Sequence, residues 1–552
     1  MGYTKIKAGT IYDPANGVDG VVGDLWIRDG KIVDPPADAT APANIIDASG
    51  MVVMPGGIDV HCHIAGPKVN SARKLRPEEK RRDAPVKRMG KLHSGTMGSV
   101  PSSFATGYKY AALGYTTAFD AAVPPLSARH VLEEFADTPC LDKGFFVLAG
   151  NNHFILDSIK RNDADRLTGF LAWLIGSTRA YAPKIVNPGG VEMWKQKPTG
   201  NARDLDVPID HFDVSPRQII QSIARASNRL GLPHPIHIHC NNLGMPGNWT
   251  TTLETMKTLE GQRGHMAHIQ FHSYGGGDAD ENTFSSKVEP LAEYVNQHPN
   301  ISVDVGQIMF GPTTSMTGDG PLGYYLHQVY GSKWISADTE LETGCGIAPI
   351  EYRNTSFVHA LQWAVGLEWF LMVKDPWQVA MSTDHPNGAS FLSYPQIIHL
   401  LMDRGFRREA LKTVNPKIRK CTQLESLDRE YSLYEIAIIT RAGPARMLGL
   451  KDKGHLAPGA DADITIYLPN ADKQQMFELP NYVIKAGRVM SERGEILEPL
   501  EGETLFVRPS FDQGLVPAIE QWFDDFYSIR FRNYPIQQDF ALREVPVLNS
   551  GN

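Results

Sequence analysis

Cysteine is scarce in this chain. Its 552 residues hold five, Cys62, Cys140, Cys240, Cys345 and Cys421, scattered and without a CxxC pair. That pattern excludes a disulfide framework, an iron–sulfur cluster and a zinc ribbon, and it favours a reducing compartment. Long uncharged apolar runs are missing too, so no membrane span is expected. The opening Met1-Gly-Tyr-Thr-Lys-Ile-Lys7 has no apolar signal core, and position 6 is Ile where a myristoylation site needs Ser or Thr. The expectation is a cytoplasmic protein. Nor is there an excess of positive charge. Acidic residues outnumber basic ones 62 to 54, for a net charge of -8, and no recognition motif for nucleic acid occurs. Binding to nucleic acid or anionic lipid is therefore not expected. With 42% hydrophobic and 21% charged residues the chain is neither disordered nor fibrous. Its length allows one large domain with a satellite.

What the sequence does contain centres on Met54-Pro-Gly-Gly-Ile-Asp-Val-His-Cys-His-Ile64. Strand alternation puts His61 and His63 on one face, where two imidazoles can reach one metal ion, and turns Cys62 away. An isolated HxH is more often a pair of hydrogen-bonded core histidines. The rest of the chain reverses those odds by supplying further donors in order.

Residues 1–55 read as short strands, with Asp29-Gly30 as a hairpin turn. A matching β fragment returns at 441–500, in Asp463-Ile-Thr-Ile-Tyr467 and Val483-Ile-Lys-Ala-Gly-Arg-Val489. The two ends are expected to build one composite β-sandwich. Between them, 56–440 alternates strand and helix, with eight strands ending near His61/His63, Asp120, Asn151, Lys184, His239, His272, Gln307 and Asp384. The predicted helices include 108–113, 128–136, 154–174, 216–230, 288–296 and 355–373. Eight βα units predict an α/β fold of the (β/α)8 TIM-barrel type, whose chemistry gathers at the C-terminal ends of the strands. Residues 501–552 form an extension whose aromatics suit docking or core. Two segments exceed what a barrel needs: a strongly basic one at 65–105 and a Gly-, Thr- and Tyr-rich one at 308–354.

Six residues form the predicted centre: His61, His63, Lys184, His239, His272 and Asp384. Lys184 is costly as a buried ammonium. Neutral, it can add carbon dioxide, and the N6-carboxylated lysine has two oxygens that can bridge two cations. The alternative is a lysine paired with a substrate carboxylate. His272 is placed at the barrel mouth, with His268 and His237 lower and structural. Nitrogen and oxygen donors without thiolate suit two divalent metal ions, zinc first, with iron or manganese open. Such a pair lowers the pKa of a bound water toward 7, and Asp384 is the candidate catalytic residue, passing that water's proton to the leaving group.

This ordered set resembles the amidohydrolase superfamily: HxH on the first strand, lysine on the fourth, histidines on the fifth and sixth, aspartate on the eighth. The resemblance implies a barrel with a composite sandwich and metal-dependent hydrolysis of amide or ester bonds. Within it, His61-Cys-His-Ile-Ala-Gly-Pro-Lys-Val-Asn70, Lys184-Ile-Val-Asn-Pro-Gly-Gly-Val191, His237-Ile-His-Cys-Asn-Asn-Leu-Gly244 and Thr383-Asp-His-Pro-Asn-Gly388 look like two families of hydrolytic subunits. One belongs to archaeal formylmethanofuran dehydrogenases, in which the reaction runs toward the formyl amide, the other to the formyltransferase/hydrolase complexes of methylotrophic bacteria, in which it runs toward formate. That likeness implies hydrolysis of the N-formyl group of a methanofuran or methylofuran C1 carrier to formate and free amine. It also implies partners: a formyltransferase subunit, further subunits, and a carrier with a polyglutamate tail. Modest Lys, Glu and Ile content favours the bacterial family. The tail gives the basic segment a role, with Arg81 and Arg82 as candidate contacts. Asn151, His385 and Asn387 are candidate substrate contacts at the mouth. Ring-opening hydrolysis of the hydantoinase or dihydroorotase type is the rival activity, and a metal-free assembly scaffold the non-enzymatic one.

Overall fold

In a computed structural model the described residues are 2–36, 42–82, 92–197, 200–277, 283–331, 333, 335–336, 346–537, 540 and 542–548. Eight parallel strands line up in chain order: Gly57–Cys62, Tyr115–Val123, Asp142–Leu148, Ala182–Val186, Ile236–His239, Gly264–Met266, Ile301–Asp304 and Val379–Ala380. The last meets the first through a parallel bridge between His385 and Cys62. There His63 N donates to His385 O at 2.6 Å and Ser382 Oγ donates to His61 O at 2.9 Å. These contacts close the predicted (β/α)8 barrel.

Local chemistry explains the helices. Residues Pro216–Arg229 start at a Ser215/Gln218 capping box with Pro at the first turn, and bury Ile219, Ile220, Ile223 and Ala226 on one stripe. The single helix expected over 154–174 is two, His153–Lys160 and Ala164–Thr178. The break comes at Asn162, which adopts φ 54°, after which Asp163 caps the second helix by accepting from Arg166 N.

Three of the strands end earlier than alternation suggested, at Met266, Asp304 and Ala380 rather than near His272, Gln307 and Asp384. The chain leaves the ladder and turns inward instead. His268 sits at φ 32° and Asp384 at φ 51°, a left-handed region unusual for side-chain-bearing residues. Backbone turns, and not strand alternation, aim these two side chains.

Both chain ends contribute to one nine-stranded sheet, in which Val52–Pro55 pairs antiparallel with Ile464–Tyr467. The sheet curls back on itself: Ile32 N donates to Ala460 O at 2.9 Å, and Gly459 N to Ile32 O at 2.8 Å. Its own core holds Ile6, Ile27, Val53, Ile464 and Ile484. Sheet, barrel and C-terminal extension meet at one buried charge knot. Lys453 Nζ lies 2.6 Å from Asp142, 2.9 Å from Asp461 and 2.8 Å from Asp463. Lys485 also reaches Asp142 and Arg543 reaches Asp461, each at 2.7 Å. Three carboxylates at that spacing could hold a metal ion; here the Lys453 ammonium is the cation.

The extension is largely core on its inner side. Thr504–Phe506 pairs in parallel with the foot of the third barrel strand, and helix Val516–Phe526 lays Trp522 on Phe154 and Phe523 on Trp173. No described helix is long and apolar enough to cross a membrane. The 308–354 insertion is a small antiparallel sheet, Gly311–Thr317 with Gly346–Tyr352 and Ile335–Ser336, carrying helix Gly320–Tyr330.

Candidate metal centre

The first barrel strand delivers His61 and His63 to a common point. The Nε2 atoms of both lie 3.0 Å from Asp384 Oδ1. Each imidazole is held from its far side by a carboxylate. His61 Nδ1 donates to Asp304 Oδ2 at 2.9 Å, and His63 Nδ1 lies 3.3 Å from Asp120 Oδ1 and 3.1 Å from Lys68 Nζ. Asp120 is fixed in turn by Ile64 N and Ala65 N, at 2.9 and 3.2 Å. This is the arrangement that leaves Nε2 free for a cation, with the tautomer set by the outer partner.

The fifth and sixth strands supply a second group. His268 Nε2 is 3.0 Å from His239 Nδ1, and His239 Nε2 donates to Asp319 Oδ2 at 3.2 Å. The ring of His272 stacks 5.2 Å from that of His268. Donor atoms of His239, His268 and His272 all lie within 4.8 Å of one another, as do those of His61, His63 and Asp384. His268, read from sequence as a lower, structural residue, stands beside His239 and Asp384 on the cavity wall, whereas His272 follows it on a short 3-10 turn. His237 is deeper, as expected, its Nε2 3.2 Å from His61 Nδ1 and its Nδ1 3.0 Å from His234.

Lys184 is 1% exposed between these groups, next to His237 in the strand ladder. Its Nζ has no hydrogen-bond partner, and neither do the two nitrogens of His272 or Nδ1 of His268. So many unpaired polar atoms facing one buried spot fit a missing charged group shared among them. The electrostatics agree. Burial pushes Lys184 down to about 7, although Asp304 and Asp384 pull the other way. Burial also disfavours charge on His61, yet Asp304 and Asp384 raise it to about 9. A centre that forces a proton onto a buried imidazole has negative charge to share with a cation. The donor set fits divalent metal ions.

The other predicted contacts divide. Asn387 lines the cavity, its Oδ1 accepting from Met316 N at 2.6 Å. Asn151 does not face the centre: its amide donates to Val186 O and its Oδ1 accepts from Gly189 N, both at 2.9 Å, so both ends serve the loop after the fourth strand. His385 closes the barrel through its backbone and packs edge-on against Phe391 at 4.7 Å. Arg81 and Arg82 end helix Pro77–Arg82, and their side chains lie outside the described residues, as do Lys87, Arg88 and Lys91. Other cations of the basic segment are engaged in the structure. Arg73 donates to Pro101 O and Ile64 O, Arg76 to Thr313 O and Ile350 O, and Lys68 to Ala122 O. Cys62 Sγ turns away and donates to Phe119 O at 3.3 Å.

Two carboxylates escaped the reading from sequence. Asp304 shares the inward face of its strand with Ser302, which alternation in Ile301-Ser-Val-Asp304 already implies. Asp319 comes from the insertion, where no spacing announces it. Above the centre opens a cavity. His239, His268, Asp384 and Asn387 line its floor, and Phe271, Phe284, Leu322, Leu326, Ile350 and Val358 its walls. Among the described residues, no Lys or Arg lines it.

The profile of the amidohydrolase family matches residues 44–490. The chain belongs to the amidohydrolase family. Among amidohydrolase relatives, it is 44% identical to protein FwdA of Methanocaldococcus jannaschii over 97% of each chain. It is 37% identical to the A-subunit of the formyltransferase/hydrolase complex Fhc of Methylorubrum extorquens, over 95% of this chain and 94% of that one. The crystal structure of that organism's FhcABCD complex with methylofuran contains a chain that superposes with a TM-score of 0.93 at 35% identity, covering 99% of each.

Proposed function

We propose that this amidohydrolase cleaves the N-formyl group of a methanofuran- or methylofuran-type carrier to formate and the free amine. It would act as one subunit beside a formyltransferase subunit in a multi-subunit complex. The observation that carries this reading is the full-length likeness to a chain of a complex crystallised with methylofuran, joined to a cavity suited to such a substrate. A small carboxylate-bearing substrate such as dihydroorotate calls for a cation in the pocket, and the described walls of this one offer no Lys or Arg. A flat apolar ring carrying a formamide fits its aromatic sides and polar floor.

His61, His63 and Asp384 would hold one divalent ion. His239 would hold the other together with a histidine of the sixth strand. The 3.0 Å approach of His268 to His239 favours His268 over His272. Lys184, carboxylated on Nζ, would serve both. Zinc suits these donors. When bound, the ions supply Lewis acidity and a water acidic enough to attack at neutral pH. The chain's own residues do the rest. Asp384 takes the proton of the attacking water and returns it to the leaving nitrogen. The apolar walls exclude competing water, and Asn387 sits within the same cavity to receive the amide.

Higher identity to FwdA supports a second reading, in which the same centre runs toward the formyl amide. The test is direct. Purified protein is incubated with N-formyl carrier and formate is measured with and without chelator, then formate plus free amine is assayed for the reverse. Formate release abolished by chelation supports the proposal. Turnover of dihydroorotate or a hydantoin, with none of the formyl carrier, would overturn it.

A further inference from the structure

The histidines of the centre are not all braced from the same source. Asp304 and Asp120 belong to barrel strands or their immediate ends, so the scaffold itself fixes His61 and His63. The carboxylate behind His239 comes from outside the barrel. Asp319 lies in the insertion after the seventh strand and is 2% exposed. Its Oδ2 accepts from His239 Nε2 at 3.2 Å, while its Oδ1 accepts from Asn187 Nδ2 at 3.1 Å and from Leu322 N at 3.4 Å. Asn187 is itself set by Asn241, whose amide donates to its Oδ1 at 2.9 Å.

Asp319 therefore has two jobs. It caps helix Gly320–Tyr330 and it orients His239. That helix is also a wall of the cavity, through Leu322, Tyr325, Leu326 and Val329, spaced i, i+3, i+4 and i+7. One carboxylate thus ties the substrate-facing helix to the His239 side of the centre.

We infer that Asp319 is a positioning residue for the second metal position: by accepting from His239 Nε2 it holds Nδ1 toward the cation, so that ion's affinity depends on the seating of the inserted helix. The inference rests on the two-cation reading above. Removal of such an outer partner typically weakens metal affinity 10- to 100-fold.

The test uses the full-length protein and zinc itself. Wild type, Asp319→Asn, Asp319→Ser and Asp120→Asn are stripped and titrated with zinc against a chromophoric chelator, and cobalt(II)-loaded samples are compared by visible absorption. Serine keeps an N-cap oxygen for Leu322 N but cannot reach His239. The expected result is two zinc ions in the wild type. In both Asp319 variants one ion should be about 10- to 100-fold weaker, with an altered cobalt spectrum; in Asp120→Asn the loss should fall on the other ion. If Asp319→Ser binds both ions within twofold of wild type with an unchanged spectrum, Asp319 is only a helix cap and the inference fails. If the wild type itself binds no zinc, the two-cation reading fails first, and the inference with it.

Discussion

Remove the metals, and Lys184 should become a carbon dioxide sensor. Lys184 is 1% exposed and its Nζ has no hydrogen-bond partner, and burial holds it near 7. At pH 7 about half of Lys184 is then neutral, against roughly one part in 2,500 for a lysine at 10.4. Only the neutral amine adds carbon dioxide, so the readiness of this side chain to form a carbamate rises by about three orders of magnitude. The sign follows. Lowering the pH from 8 to 6 takes the neutral fraction from about 91% to about 9%, which should slow reconstitution about tenfold. The assay is zinc reloading of chelated protein, at pH 6, 7 and 8, with bicarbonate adjusted to give the same dissolved carbon dioxide at each pH, or in carbon dioxide-free buffer. Two-ion occupancy and activity should need bicarbonate, faster at pH 8. Lys184→Ala should reload at most one ion and ignore bicarbonate, while its circular dichroism reports whether the barrel persists. Full reloading of wild type without carbon dioxide, at a rate flat across this range, would refute the reasoning.

Three further outcomes are expected. Asp384→Asn should lose two or more orders of magnitude in kcat on the formyl carrier, in line with a general base worth 10²- to 10⁴-fold, with KM little changed in steady-state assays. Charge reversal at Arg81 and Arg82 should raise KM for a polyglutamated carrier but not for a short formamide, and the difference should vanish at high salt; equal effects on both substrates would dismiss the tail-binding role. His359, pushed down to about 4 by burial and by Arg353, accepts from Arg353 N at 2.9 Å. The unfolded chain binds that proton more readily, so stability is full above about pH 6.5 and falls as pH drops toward 4. A shift of that size corresponds to about 2–3 kcal/mol after allowance for partial exposure. His359→Gln should flatten that part of a pH series of urea midpoints.

Much of the molecule was legible from the order of residue types. HxH, lysine, histidine, histidine and aspartate at the expected stations identify the barrel, because each side chain marks a strand end. Legibility failed where backbone turns replaced alternation. His268 and Asp384 are aimed by left-handed residues at φ 32° and 51°, which period-two reasoning cannot see. It therefore put His268 low, whereas His268 lines the cavity and shares a donor group with His239 and His272. Asn151 stands at the right height, but its amide is spent on a loop. Asp319 was invisible because an insertion carries no period to read. The basic segment shows the limit of counting charges: Lys68, Arg73 and Arg76 serve backbone carbonyls, which composition alone cannot distinguish from a free cationic surface.

The pairing of Val52–Pro55 with Ile464–Tyr467 has a consequence for birth on the ribosome. Some 400 residues separate the partners, and translation proceeds at roughly 5–20 residues per second. The opening strands therefore wait about 20–80 seconds with an unzipped margin, a template for wrong annealing between nascent neighbours. Expression at lowered temperature or with chaperone co-production should raise the yield of correctly assembled chains, and truncation before Ile464 should send the product to inclusion bodies.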